Sequence, residues 1–395
     1  MSIYIDVSAA VHRRAGLGRY AESLTRALLQ QEPDRFALFH NRERGLQPLQ
    51  GLQWVPTRSV RLGYKPWRMA VWLGQLARIG FDRLLPGAEL FHATEHLLMP
   101  LHTVPTVLTV HDLIFHLFPQ HHKRLNYWYL NLTMPLYCRR AHAIITISQS
   151  SRRDLTKCYG VPAEKVSVVY EAAAPRFRPL SHEAVAAVRR RYGLPEHYVI
   201  YVGTIEPRKN LTRLLDTLLL LHERGVGDKL VIVGSRGWLF ERFFQRLESM
   251  PQKTVFLPGY VPDEDLPALY SGATLAVLPS LYEGFGLPML EAMACGTPVA
   301  CSRTSSLPEI GGEAAAYFDP TDIDDMAEAM YGVLVDEERQ EEMRTRGLAQ
   351  AAKFSWSRAA EETLAVYQRV RSCITHPPLD GWGKVEYNRD HETRA

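Results

Sequence analysis

The sequence predicts an α/β protein built from two doubly wound, Rossmann-like domains that face each other across a cleft. Three observations lead there. At 395 residues the chain is longer than one hydrophobic core usually supports. Short β-branched and apolar runs alternate with longer helical patterns, which is typical of parallel α/β units. Two sets of such units are separated by residues 172–183 (AAAPRFRPLSHE), a segment with two prolines and no periodicity that we interpret as an interdomain linker.

Five strands are predicted on each side of this linker. In the first half they are Ile3–Val7, Phe36–Phe39, Val107–Val110, Ile144–Ile147 and Val166–Tyr170. In the second half they are Tyr198–Gly203, Leu230–Val233, Thr254–Leu257, Leu275–Leu278 and Pro298–Cys301. Ligands of doubly wound sheets bind beyond the carboxyl ends of the strands, so the cleft between the domains is the expected site.

The predicted domains comprise residues 1–178 and 179–354. Ser355–Ser372 (SWSRAAEETLAVYQRVRS) then begins with Ser-x-Ser and continues as an amphipathic helix. The last stretch, residues 376–395, contains Pro-Pro, glycine and mixed charge, and is predicted to be a loose tail.

Charge is distributed unevenly along the chain although the net charge is only +3. Residues 1–178 carry 23 Lys and Arg against 12 Asp and Glu, a balance of +11, and the remainder has a balance of −8. Such asymmetry indicates that the first half faces an anionic partner: a phospholipid surface, a pyrophosphate-bearing acceptor or nucleic acid. A basic face exposed only to solvent is an equally weighted alternative. Nucleic acid is disfavoured, because the basic residues follow no recognisable module.

Cysteine usage and hydropathy indicate a cytoplasmic protein. The five cysteines are odd in number and scattered, without a CxxC pair, which fits a reducing compartment. No apolar run approaches the length of a membrane span, and the N-terminus lacks a signal-peptide pattern.

The stretch YEGFGLPMLEAMACGTPV, residues 282–299, carries the strongest chemical signal. It follows a predicted strand, and Pro288 suits the first turn of a helix that Gly296 ends. The backbone N–H groups of Gly284, Phe285, Gly286 and Leu287 would then form an anion site at a helix N-terminus. Two carboxylates, Glu283 and Glu291, bracket this site, with Glu291 expected in the first helical turn. A ligand with phosphate and several hydroxyls, such as a nucleotide sugar, fits; a capped helix after a tight turn is the alternative.

A second stretch, YVGTIEPRKNLTRLL (residues 201–215), supports the same interpretation. It runs from a strand through a turn at Gly203 to Arg208 and Lys209, which precede a helix predicted to be capped by Asn210. Two cations at the carboxyl end of a strand can neutralise a diphosphate leaving group. A solvated basic pair is the alternative.

Weaker signals lie in the first half. AGLGRYAESL places Gly16 and Gly18 in a G-x-G-x-x-A pattern, but no acid ends the second strand, so a nicotinamide site is disfavoured and a glycine loop touching phosphate or sugar remains open. His111 ends a strand and could bind a substrate hydroxyl or be a core histidine. The remaining histidines match no zinc spacing, and no metal is expected. The segment 63–85 mixes tryptophans with basic residues, as in an interfacial membrane helix or a core helix with a basic outer face.

Taken together, these motifs resemble the retaining glycosyltransferases of family four, which have the two-domain GT-B architecture. The resemblance extends to about Ser372 and rests on the glycine segment at residues 16–19, His111-Asp112, ITISQSSRRDL, EPRKN, the E-x₇-E pair Glu283 and Glu291, and CSRTSSLPEIGGEAAAYFDPTD. It implies that the C-terminal helix, residues 355–375, crosses back to the first domain. It also implies that the nucleotide sugar is a donor substrate and that no cofactor is needed.

The resemblance also implies roles for individual residues. Glu283 would contact the donor sugar, Glu291 the ribose and His111 the sugar from the opposite domain. Arg208 and Lys209 would bind the diphosphate. Backbone contacts to the nucleobase would come from PGYVPDEDL, which contains Tyr260 and Val261. Many relatives have an arginine where this chain has Thr204, and Arg208 would then supply the missing charge.

The function that follows is transfer of a hexose, with retention, to a saccharide or lipid-linked acceptor in surface polysaccharide or glycolipid synthesis. Mannose from GDP-mannose is favoured over a UDP-sugar because SSLPEIGGEAA is similar to mannosyltransferase-like members. The expected location is the cytoplasm, with peripheral binding to the inner face of the plasma membrane. A UDP-dependent hexosyltransferase, a GT-B nucleotide-sugar epimerase and a catalytically silent glycan- or lipid-binding protein are the alternatives.

Overall fold

A computed structural model describes residues 2–43, 45–121 and 123–375. Its first sheet has seven parallel strands in the order β3-β2-β1-β4-β5-β6-β7. These strands are β1 Ser2–Asp6, β2 Phe36–Asn41, β3 Thr57–Val60, β4 Ala88–Ala93, β5 Thr106–Val110, β6 Ala143–Thr146 and β7 Val166–Val168. The strand order reverses between β1 and β4, which is the switch point of a doubly wound sheet.

The second sheet has six parallel strands in the order β10-β9-β8-β11-β12-β13. They are β8 Tyr198–Val202, β9 Lys229–Val233, β10 Val255–Gly259, β11 Leu275–Leu278, β12 Val299–Ser302 and β13 Ala315–Phe318. The switch point lies between β8 and β11. The predicted class of two doubly wound sheets is therefore confirmed.

Helices alternate with the strands in both halves. In the first half they are α1 Ser8–Val11, α2 Ala15–Gln31, α3 Tyr64–Ala77, α4 Ile114–Leu117, α5 Arg124–Arg140 and α6 Gln149–Tyr159. In the second half they are α7 His182–Arg191, α8 Leu211–Glu223, α9 Glu241–Glu248, α10 Leu266–Ser271, α11 Leu287–Ala294, α12 Leu307–Gly311, α13 Ile323–Leu334, α14 Glu337–Ala351 and α15 Trp356–Thr375.

The last helix, α15, returns to the first sheet as the resemblance implies. It packs along α2 and also contacts β6. The buried hydroxyl of Tyr367 lies 2.6 Å from Nδ1 of His92, a residue of β4. At the start of the helix, Gln31 Nε2 donates to the Ser357 carbonyl at 2.9 Å. Helix α15 is therefore part of the first half of the molecule in space, although it ends the described chain.

Three elements of the sheets were not predicted, namely β3, β4 and β13. Strand β7 ends at Val168, so the predicted strand to Tyr170 is too long by two residues. Helix α7 begins at His182 with Ser181 as its N-cap, so the predicted linker, residues 172–183, extends two residues too far. The domain boundary at residue 178 stays a prediction, and the expected tail, residues 376–395, lies outside the described residues.

Candidate active site

The switch points of the two sheets face each other across a closed cleft. A Cβ atom added to Gly284, in the loop after β11, would lie 2.8 Å from the carbonyl oxygen of His111, in the loop after β5. Beside this contact the Tyr282 hydroxyl donates a short hydrogen bond to Asp154 in α6. The loops predicted to hold a ligand from opposite sides therefore meet in the structure.

Glu283 is a buried carboxylate held by three donors. Lys209 Nζ and Ser280 Oγ each donate to Oε1 at 2.6 Å, and Arg208 Nη1 donates to Oε2 at 2.9 Å. Burial opposes ionisation, but Lys209 and Arg208 lower the pKa of Glu283 to about 2. Glu283 is therefore ionised at neutral pH, and its orientation is fixed.

Arg208 and Lys209 lie in a single 3-10 turn, Pro207–Lys209, between β8 and α8. Burial disfavours the Arg208 guanidinium, but Glu283 and Glu206 hold its pKa above the ordinary value. Burial and the Arg208 charge lower the pKa of Lys209. Lys209 gives one of its three N–H groups to Glu283, and Arg208 gives two nitrogens to protein oxygens. Both cations thus have N–H groups that these bonds leave unused, and binding of a diphosphate by them stays a prediction.

The helix that follows, α11, presents free backbone donors. Its N-cap is Gly286, whose φ of 103° lies in the left-handed region that favours glycine. Pro288 occupies the first turn, as predicted. Within the described residues, the amides of Gly284, Phe285, Gly286 and Leu287 donate to no protein acceptor. Four such amides beside two cations form a site suited to an anion.

Glu291 lies one turn deeper than predicted. It is the fifth residue of α11, so it is in the second turn, and it is buried. Its Oε1 accepts from Arg19 Nη1 at 2.9 Å, and Arg19 Nη2 donates to Asp263 at 2.6 Å. Burial raises the pKa of Glu291 to about 7, although Arg19 opposes the shift. An ion pair between residues 19 and 291 therefore spans the cleft.

The prediction of a glycine loop at residues 16–18 is wrong. Gly16 and Gly18 both lie in the first turns of α2, which begins at Ala15. A Cβ atom at Gly18 would lie 2.8 Å from the Ala9 carbonyl, whereas a Cβ at Gly16 would meet nothing within 4 Å. Gly18 allows α2 to pack closely on α1, so its place in the sequence has a packing reason.

Asn210 precedes α8 but does not cap it with its side chain. The residue adopts a left-handed conformation with φ of 59°, and its Nδ2 donates to the carbonyls of Pro279 and Pro320. The side chain therefore ties the loop after β8 to the loop after β11. This contact holds the Arg208 turn next to Glu283.

His111 is buried at the end of β5. Its Nε2 lies 2.9 Å from the Thr94 carbonyl, and its Nδ1 lies 3.6 Å from Glu171. Burial alone would lower the pKa of His111, but Glu171 and the Thr94 carbonyl raise it. Both ring nitrogens thus face protein oxygens, and a contact with the donor sugar stays a prediction.

Four further positions were named from the sequence: Gly203, Thr204, Tyr260 and Val261. Gly203 directly follows β8 and has a φ of 156°. Its carbonyl oxygen packs closely on Gly234, because a Cβ atom added to Gly234 would lie 2.1 Å from that oxygen. Tyr260 is 71% exposed and Val261 is buried. The Thr204 carbonyl accepts from the Tyr201 hydroxyl at 3.3 Å. Contacts of Tyr260 and Val261 with a nucleobase stay predictions.

Histidines form no metal cluster in the described parts of the chain, where no group of three or more His, Cys, Asp and Glu side chains converges. His92 bonds Tyr367 and Thr109, and His116 bonds Asn131. These partners give the histidines structural roles.

Sequence reasoning missed three carboxylates and one cation that complete the site. They are Arg19, Glu171, Glu206 and Asp263. Glu206 directly precedes the Pro-Arg-Lys turn, and an acidic residue this close to two cations in the sequence is a signal that could have been used. Arg19 and Asp263 are paired across 244 positions of sequence, so no local pattern connects them.

Helices α3 and α5 present an apolar outer face. The buried side of α3 carries Trp67 and Val71. Its other side exposes Met69, Leu73 and Leu76, and Ile79 is exposed just after the helix. Helix α5 adds Leu125, Trp128 and Leu132, and each of these side chains is at least 47% exposed. From the sequence, a core helix with a basic outer face was an alternative, and the outer face of α3 is more apolar than that alternative implies. Among the residues that the structure describes, no helix is long and apolar enough to span a bilayer.

Two facing doubly wound domains, with a helix N-terminus and two cations at the cleft between them, have the architecture of GT-B glycosyltransferases. Two family models match: "Glycosyltransferase Family 4" over residues 14–177 and "Glycosyl transferases group 1" over residues 188–350. The chain belongs to the group 1, family 4 glycosyltransferases.

Individual relatives agree with this assignment. The chain is 33% identical to O-antigen chain mannosyltransferase B of Escherichia coli, over 93% of this chain and all of that relative. It is 32% identical to serotype-specific mannosyltransferase WbdA of E. coli, over 69% of this chain and 34% of the relative. Among solved structures, sucrose-phosphate synthase of Thermosynechococcus elongatus superposes with a TM-score of 0.74 at 21% identity, covering 94% of this chain and all of that one.

Proposed function

We propose that the protein transfers mannose from GDP-mannose, with retention of configuration, to a saccharide or lipid-linked acceptor in surface polysaccharide synthesis. The observation that carries the proposal is the buried Glu283, held ionised by Lys209 and Arg208 beside the four free amides of residues 284–287. The similarity to E. coli O-antigen chain mannosyltransferase B supports mannose as the sugar.

In this proposal each part of the site meets one part of the donor. The free amides at residues 284–287 and the remaining N–H groups of Arg208 and Lys209 bind the diphosphate. Glu283 accepts hydrogen bonds from the sugar, and Glu291 accepts them from the ribose. Gly203 and the segment with Tyr260 and Val261 flank the nucleotide. Arg19 must release Glu291 when the ribose binds.

The reaction breaks the bond from the anomeric carbon to the β-phosphate oxygen and forms a bond from that carbon to an acceptor oxygen. The acceptor proton passes to the departing phosphate on the same face of the sugar, and GDP leaves. Lys209, Arg208 and the helix N-terminus stabilise the charge that develops on the diphosphate, so the proposal needs no metal ion.

Replacing Lys209 by alanine tests this charge stabilisation. We expect Lys209→Ala and Glu283→Gln each to lower kcat for mannose transfer by at least about 100-fold, because each removes a charged group that touches the donor. The measurement is transfer of radiolabelled mannose from GDP-mannose, with thermal unfolding as a check on the fold. The matched control is Lys229→Ala, at the amino end of β9, away from the cleft. Near-normal turnover by both site variants would contradict the proposal.

We also propose that the outer face of α3 and α5 rests on an anionic membrane at the cytoplasmic surface. Exposed leucines and Trp128 form the apolar part, and Lys65, Arg78, Lys123 and Arg124 surround it with positive charge. This combination of apolar and basic side chains is typical of interfacial helices. It would bring the cleft to a lipid-linked acceptor.

Vesicle sedimentation checks the membrane proposal. The protein should sediment with phosphatidylglycerol vesicles at low salt and less at high salt, where charges are screened. Trp128→Ser should weaken binding several-fold, because it removes the largest exposed ring of the face. Trp54→Ser, which changes an exposed tryptophan outside α3 and α5, serves as the control. No sedimentation at low salt would exclude the surface.

A further inference from the structure

A second cluster of charged groups lies at the switch point of the first sheet. Asp6 is the last residue of β1, and Thr94 and Glu95 directly follow β4. Strands β1 and β4 are neighbours, and the strand order reverses between them. In doubly wound sheets this crevice is where ligands bind. The donor-binding roles proposed above leave this crevice unused.

Glu95 carries a carboxylate oxygen with no protein partner. The residue is 4% exposed, and Arg14 Nη1 donates to its Oε2. Its Oε1 is buried and has no hydrogen-bond partner among the described residues. A buried carboxylate oxygen without a donor is costly, so such an atom indicates a place that a ligand hydroxyl fills.

Neighbouring groups fix the position of the Glu95 carboxylate. The Arg14 guanidinium stacks on the Tyr64 ring, 3.6 Å from its centroid, which fixes the donor to Oε2. On the other side, Asp6 accepts from the Ser8 amide at 2.8 Å. Burial and the Glu95 charge raise the pKa of Asp6 to about 7, whereas the Arg14 charge lowers it. Arg14 is therefore the cation that acts on both carboxyl groups.

The cluster is continuous with the donor side of the cleft. The Thr94 carbonyl, one residue before Glu95, lies 2.9 Å from His111 Nε2, and the His111 carbonyl faces Gly284. Helix α2 makes a second link: Arg14, its N-cap, binds Glu95, while Arg19 in its first turns binds Glu291. An acceptor bound at Glu95 would thus lie on the opposite wall from the proposed donor sugar.

We propose that Glu95 is the acceptor-binding carboxylate and that its Oε1 accepts a hydrogen bond from a hydroxyl of the acceptor saccharide. Arg14 and Asp6 complete the subsite, Arg14 by fixing the other oxygen and Asp6 by offering a second acceptor atom. The inference rests on the proposed function. Glu95 orients the acceptor without taking its proton, which passes to the leaving phosphate.

Glu95→Gln tests the inference with methyl α-D-mannopyranoside as the acceptor probe. We expect kcat/KM for the mannoside to fall on the order of 10- to 100-fold, the effect of losing a charged hydrogen bond. The dissociation constant of GDP, measured by calorimetry, should stay within about twofold of wild type, whereas a merely structural role would move both values. Glu95→Asp, which keeps the charge, should restore part of the loss.

The matched control is Glu89→Gln, which changes a glutamate on the same strand, β4, that pairs with Arg371 at 3.0 Å. Unchanged acceptor kinetics in Glu95→Gln, or a parallel loss of GDP affinity, would overturn the inference. Mannoside binding to wild type is also followed by saturation-transfer NMR. If the wild type binds the mannoside without transferring mannose to it, and Glu95→Gln abolishes that binding, the inference is supported and the proposed function is not. Neither binding nor transfer by wild type would contradict the inference.

Discussion

Glu283 and Glu291 are buried carboxylates, one in the loop before α11 and one inside that helix, and their different surroundings give them different pKa values. Two cations lower the pKa of Glu283 to about 2 despite burial, whereas burial raises that of Glu291 to about 7. The consequences for folding have opposite signs. Glu283 contributes stability above about pH 4.5 that is lost as the pH falls towards 2. Glu291 costs stability as the pH rises from 4.5 through 7.

The raised pKa of Glu291 predicts a pH-dependent nucleotide affinity. The ionised carboxylate is the better acceptor for ribose hydroxyls, so GDP affinity should rise about tenfold between pH 6 and pH 8. Calorimetric titration at several pH values measures this. Besides burial, the Asp263 charge raises the pKa of Glu291, whereas the Arg19 charge and the hydrogen bond from the Tyr270 hydroxyl lower it.

Glu291→Gln is the control, because GDP also titrates on its own phosphate. The variant should keep only the pH dependence of the ligand, so the difference between the two profiles belongs to Glu291. Identical profiles in wild type and Glu291→Gln would show that this carboxylate does not meet the nucleotide.

At the scale of elements, the two glycines of α2 differ in how closely they pack against the rest of the protein. Gly18→Ala should lower the free energy of unfolding by about 1–3 kcal/mol, because the new methyl group meets the Ala9 carbonyl. Gly16→Ala should raise it by about 0.5–1 kcal/mol, since the added methyl group has space and alanine favours the helix. Denaturant unfolding of both variants measures the two changes in the free energy of unfolding. Equal effects would contradict the packing role assigned to Gly18.

The strands that could be predicted are the apolar ones. Runs such as Leu275–Leu278 are buried on both faces of a parallel sheet, so they read as continuous hydrophobic segments. Of the three missed strands, β13 (AAYF) is an apolar strand at the edge of the second sheet, but β3 and β4 lack that signal. Strand β3 is an exposed edge with the sequence TRSV, and β4 contains Glu89 and His92 among its six residues. His92 is tolerated there because Tyr367 and Thr109 bond both of its ring nitrogens.

At the scale of the whole molecule, contacts across the cleft could not be predicted from local patterns. The Glu309 carboxylate accepts from the amides of Gln149 and Ser150 at the start of α6, at 2.7 and 3.1 Å. A carboxylate at a helix N-terminus favours the closed arrangement. The motifs predicted the two loops of the second half that carry Arg208 and Glu283, but their partners from the first half depend on how the sheets face each other.

Retaining transfer of mannose from GDP-mannose, as proposed, requires that the product keep the α configuration of the donor. The protein is incubated with GDP-α-mannose and methyl α-D-mannopyranoside, and the new linkage is examined by NMR through its one-bond carbon–hydrogen coupling. We expect an α-linked mannoside. A β-linked product, or transfer only from a UDP-sugar, would contradict it.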